Sequence, residues 1–107
     1  MNTDTQLLAP DQAVLDSLRE VIDPEIGINI VDLGLVYFVD RSKDSVRAEI
    51  TLTSRACPLG EQVVAEVRDA LTRDFPECSD VIVRLVWEPA WYPDLVTEQG
   101  RRMLGLA

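Results

Sequence analysis

The sequence predicts a single small α+β domain of order α-β-β-α-β-α, with helices packed on a mixed three-stranded sheet. Three observations predict it. Residues Val46, Ala48, Ile50 and Leu52 alternate with Arg47, Glu49 and Thr51, the clearest period-two run in the chain. Helix-period apolar stripes lie before it and after it, bounded by Pro and Gly. The length of 107 residues, 47% hydrophobic and 27% charged, suits one soluble domain able to build a core without disulfide or metal staples.

Taken in order, residues 1–9 carry no apolar period and read as a flexible N-terminal tail, with the domain running over 10–107. From Asp11, which can cap a helix, Val14, Leu18, Val21 and Ile22 share one face, and Asp23-Pro24 is expected to end that helix. Glu25 to Leu33 reads as an ordered loop, followed by a strand over Gly34 to Val39 and a turn over Asp40 to Ser45. After the alternating second strand, Thr53 to Pro58 is a loop, and Pro58 suits the first helical position because its missing N–H would be unbonded there. Val63, Val67, Ala70 and Leu71 then form a helical core stripe that ends near Asp74. A third strand over Val81 to Trp87 places Val81, Val83, Leu85 and Trp87 on one side, and a short helix over Thr97 to Leu104 finishes at Gly105. The first two strands form a hairpin. The helical crossover to the third is expected to be right-handed and to make strands two and three parallel.

Ten basic against 19 acidic residues give a net charge of −9, concentrated as −7 in residues 1–40, which disfavours nucleic acid as a partner. With no histidine, Ser-His-Asp triads and His-zinc sites are excluded. There is no apolar run of about 18 residues and no secretory pattern at the start, so the expected compartment is the cytoplasm, away from membranes and with reduced thiols.

Three segments can carry chemistry. With Pro58 opening a helix, Cys57 falls at the N-cap, where free N–H groups and the helix dipole favour a thiolate, and Arg55 adds a cation two residues away. Such a sulfur suits metal binding or persulfide chemistry; the alternative is a small apolar cap under the loop. Cys78 follows the far end of the same helix, some 24 Å away at about 1.5 Å per residue, so one chain cannot chelate with both thiols. The loop Asp23 to Gly34 holds Asp23, Glu25 and Asp32, which either bind a hard cation or work as acid and base, or else simply cap turns. Trp87, Glu88, Trp91 and Tyr92, set among Pro89 and Pro93, form either an exposed partner-binding patch or a closure of the core.

Taken together, Asp23-Pro24-Glu25, Asn29 to Tyr37, Thr51-Leu52-Thr53-Ser54 with Cys57-Pro58-Leu59-Gly60, and Val86-Trp87-Glu88-Pro89 with Trp91 and Pro93 resemble the iron-sulfur cluster assembly domain. That domain occurs in SufT-type proteins of the bacterial SUF system, in the eukaryotic cytosolic iron-sulfur assembly component and in PaaD-like proteins of phenylacetate ring hydroxylation. The likeness runs from about Val14 to Leu106. It implies an accessory, non-enzymatic role in assembling iron-sulfur clusters or maturing their clients. In that role Cys57 matches the family's cysteine, Asp23 and Asp32 its acidic loop, and Thr53, Arg55 and Pro58 set the thiol's surroundings. Because a cluster usually takes about four ligands, a cluster or iron held here would be transient and shared between subunits of a homodimer, or with a scaffold or client protein. The chain departs from the family with Gly27-Ile28 where Pro-Val is frequent, and with Arg55-Ala56 where Pro-Gly commonly precedes the cysteine. The longer PaaD-like proteins also carry a C-terminal cysteine cluster that this chain does not. A second reading is an adaptor that docks clients, or a PaaD-like maturation component, with Cys57 structural. A third, a thiol redox or persulfide enzyme, lacks a resolving Cys-x-x-Cys partner and a general base.

Overall fold

The computed structural model describes residues 11–55 and 59–105. Its order is α1 (Gln12–Leu18), β1 (Val36–Arg41), β2 (Ser45–Ile50), α2 (Gly60–Asp74), β3 (Asp80–Leu85), a 3-10 turn (Pro93–Leu95) and α3 (Glu98–Met103), the α+β arrangement expected from sequence. The sheet order is β1-β2-β3. The hairpin is antiparallel, with Val39 opposite Ala48, and β3 runs parallel to β2, with Ala48 opposite Val83. In β2 the inward residues Val46, Ala48 and Ile50 are fully buried, while their neighbours are only half-buried. They meet Val14 and Leu18 of α1 and Val63, Val67 and Leu71 of α2 in one core.

Several boundaries differ from expectation. The first strand runs on to Arg41, into the expected turn over Asp40 to Ser45, because Asp40 and Arg41 pair with Arg47 and Val46. The first helix stops at Leu18, short of Asp23-Pro24. Glu20 and Val21 bond back only three residues, and an isolated bridge between Ile22 and Asn29 then draws the chain out. Ile22 is consequently turned outward, at 44% exposure, rather than sharing the helix face. The first strand begins at Val36 because Gly34 and Leu35 still donate backward to Val31 and Ile30. The third strand ends at Leu85, so Trp87 lies beyond it. Helix α2 starts at Gly60 with Leu59 as N-cap, two residues later than Pro58 at the first helical position would allow. Gly60 lies so close to Leu52 that a Cβ would stand 2.6 Å from its Cδ1, so the helix begins where the bare backbone can approach. Leu59 thus takes the N-cap position expected of Cys57; Cys57 and Pro58 themselves lie outside the described residues, as does the expected tail over 1–9.

Candidate functional site

Antiparallel and parallel pairing together put the start of β1 and the ends of β2 and β3 at one end of the sheet. Backbone bonds weld them there. Thr51 N–H donates to Leu35 O at 2.8 Å, and Val86 N–H donates to Ile50 O at 2.8 Å. The acidic loop, the loop leading toward Cys57 and the aromatic segment therefore converge, although the sequence separates them by tens of residues.

Within the acidic loop the two aspartates are buried and engaged. Asp23, 2% exposed, accepts from the Glu25 and Ile26 N–H groups at 2.8 and 3.0 Å through Oδ1, forming an Asx-type turn that Gly27 completes at φ 83°. Asp32, 3% exposed, accepts from Asn29 Nδ2 at 2.8 Å and from the Thr97 hydroxyl at 2.8 Å, with Arg19 Nε at 4.0 Å. Glu25 is exposed. Among the described residues, no three His, Cys, Asp or Glu side chains are placed to hold a metal ion. Both carboxylates act here as organisers of backbone, and Asp32 anchors α3.

The aromatic segment divides. Trp91 is folded back, its indole N–H donating to Leu33 O at 2.7 Å, and Tyr37 from β1 donates to Pro89 O at 2.8 Å. Burial, with the neighbouring Tyr92, pushes the Tyr37 phenol up. Tyr92 is half in solvent, and Glu88 is exposed. Trp87 is half-buried, with the Arg55 guanidinium 4.7 Å from its ring centre. Arg55 is thus held against an aromatic face just before the Cys57 segment. Thr53 is half-buried in the same loop. In the same loop the hydroxyl of Thr51, a residue 1% exposed, has no hydrogen-bond partner among the described residues. Cys78 sits past the other end of α2, buried, its Sγ 3.9 Å from Ser42 O, and burial pushes its thiol up.

A groove of about 420 Å³ opens beside this convergence, lined chiefly by Leu52, Arg55, Val64, Val83, Leu85 and Trp87. Sequence reasoning foresaw neither the groove nor the clamps Thr97–Asp32, Tyr37–Pro89 and Trp91–Leu33. A Thr before Glu98 does signal a helix cap, but its second bond reaches 65 residues back and has no local signature.

Comparison with known proteins gives the lineage. Residues 11–85 match the model of the family described as iron-sulfur cluster assembly protein. The chain belongs to that family. It is 43% identical over 94 residues to the Fe-S protein maturation auxiliary factor YitW of Bacillus subtilis, covering 87% of this chain and 91% of that one. Identity to the auxiliary factor SufT of Staphylococcus aureus is 42% over 88 residues, covering 81% and 99% of the two chains. A crystal structure from Bacillus anthracis, titled a domain of unknown function, superposes with a TM-score of 0.82 at 34% identity, covering 90% of this chain and 92% of that one. Among the described residues, no helix is long and apolar enough to cross a membrane.

Proposed function

We propose that this protein is an accessory factor, not an enzyme, in the maturation of iron-sulfur proteins. Its cargo is iron or an iron-sulfur cluster, held transiently through Cys57 and shared with a second subunit or with a scaffold or client in the cytoplasm. The observation that carries this reading is the meeting of the acidic loop, the Thr51–Arg55 loop and the aromatic segment at one end of the sheet, in a chain of the iron-sulfur assembly family. Asp23 and Asp32 support the cargo end by fixing the loop rather than by ligation. Thr53, Arg55 and Pro58 shape the thiol's surroundings, and Trp87, Glu88, Trp91 and Tyr92 form the partner-facing rim. Of the two cysteines in the sequence, Cys78 lies past the far end of α2, which leaves Cys57 as one thiol per chain for the cargo, so about half a cluster per chain is expected. The name of the relative YitW, an auxiliary factor, favours an assisting role.

The test is anaerobic reconstitution with iron and sulfide, read by visible absorption and iron per chain for wild type and Cys57→Ser. Uptake by wild type at about half a cluster per chain, lost in the variant, is expected. Uptake by neither, with client maturation unchanged in Cys57→Ser, would replace the carrier with an adaptor that docks clients.

A further inference from the structure

The sheet has two edges, and they are unequal. The β1 edge is broken by a register shift between Val36 and Phe38, a device that spoils further strand pairing. The β3 edge is regular, with six residues in unbroken parallel register. Because Val86 N–H points to β2, the backbone groups of Val81, Val83 and Leu85 point the other way, outward. Val81 O is taken by Arg68 of α2 at 3.0 Å. Val83 and Leu85 have no backbone partner on that side among the described residues, and their side chains form the floor of the groove with Leu52, Val64 and Trp87.

We propose that this edge and groove are a docking site for an extended segment of a partner protein, added to the sheet as a fourth strand. Its backbone bonds Val83 and Leu85, and every second side chain, apolar, enters the groove. Charge selects the rest of the segment. In a chain of net charge −9, Arg55 and Arg68 flank this groove, and among the described residues neither pairs with a carboxylate; Glu61 is the acid on the lining. The other described arginines, apart from Arg47 on the Phe38 ring, are ion-paired. The fitting partner carries apolar residues at alternate positions opposite Val83 and Leu85, and acidic residues before and after them, where the segment passes Arg68 and Arg55. A second copy fits poorly, since edge-to-edge pairing of β3 brings Arg68 of one chain toward Arg55 of the other and adds −9 to −9.

The test uses the full chain, isotopically labelled, and two capped eight-residue peptides sharing a Val-Thr-Val-Thr centre, one flanked by two Glu at each end and one by two Lys at each end. The Glu peptide is expected to shift the Val83, Leu85 and Trp87 signals saturably, binding about tenfold more tightly than the Lys peptide. Reversing Arg55 and Arg68 to Glu should abolish that preference. Val83→Pro, tolerated on an edge where the lost N–H faces outward, should remove binding while the remaining spectrum stays native. Equal binding of the two peptides, no shifts, or shifts confined to β1 would overturn the proposal. So would edge shifts that grow with protein concentration alone, marking a second copy, or binding that appears only when residues 1–9 are deleted, marking the chain's own start as occupant. The titration needs neither iron nor sulfide, so its failure and failure of the Cys57 reading are separately visible.

Discussion

Replacing Thr97 by Val removes one oxygen that serves two elements at once. The hydroxyl accepts from Gly100 N–H at 3.0 Å, capping α3, and donates to Asp32 Oδ1 at 2.8 Å, holding α3 to the acidic loop. Shape is nearly conserved, so the cost is polar. Loss of the cap is worth about 1 kcal/mol. Leaving a buried carboxylate oxygen short of a donor adds about 1–3 kcal/mol. The sum, about 2–4 kcal/mol, is a large part of the total of about 5–15 kcal/mol that a domain of this size has. For a chain of this length it corresponds to a fall in Tm of about 9–18 °C. Urea unfolding should show a lower midpoint at unchanged slope, and the double variant with Asp32→Asn should fall short of additivity by about 1 kcal/mol or more. A loss under about 0.5 kcal/mol, or strict additivity, would refute the claim that one hydroxyl ties the two elements together.

Two further outcomes follow from the same contacts. Gly34→Ala should be more severe than a surface change, because Gly34 has φ 79° and a Cβ would strike the Leu95 carbonyl; the left-handed conformation alone costs about 1–2 kcal/mol, readable as loss of folded protein in thermal melts. The Asp74 carboxyl, held below its usual range by Arg73 and Ser17, contributes stability that is complete above the unfolded value of 3.8 and lost as pH falls through the lower folded one. Asp74→Asn should therefore be less stable than wild type at about pH 6, and the gap should close as the pH is taken from 3.8 down through the lowered folded value, measured as urea midpoints across that range.

Element types and their order were legible because each rests on local periodicity: Val46-Ala48-Ile50 alternates, and Val63-Val67-Ala70-Leu71 repeats at helical spacing. Boundaries were less legible where a tertiary bond overrode local preference. The first helix could have continued through Val21 and Ile22 on pattern alone, and the Ile22–Asn29 bridge ended it. At the site, residue types pointed to Asp23 and Asp32, but their work could not be read without Thr97, because the deciding bond spans 65 residues. The aromatic segment posed a choice between patch and core, and the fold answers it residue by residue: Trp91 inward, Tyr92 outward, Trp87 between them under Arg55. The groove escaped notice because Leu52, Val83 and Leu85 each read as the inward face of their own strand, and Val64 falls beside the Val63–Val67 stripe. At the sheet's edge Leu85 is left 38% exposed and Val83 half-buried, which opens the groove.

The clamps that close the acidic loop also impose an order of events on a chain made from its amino end. Leu33 waits for Trp91, and Asp32 waits for Thr97, 58 and 65 residues later. While the ribosome is still adding those residues, the β1–β2 hairpin can pair and α2 can form, yet the loop ahead of β1 has no lock. Long loop closure makes that last step slow relative to local pairing. The newborn protein thus assembles its scaffold before the acidic loop is locked, and the end of the sheet where the three segments meet is the last part to be completed.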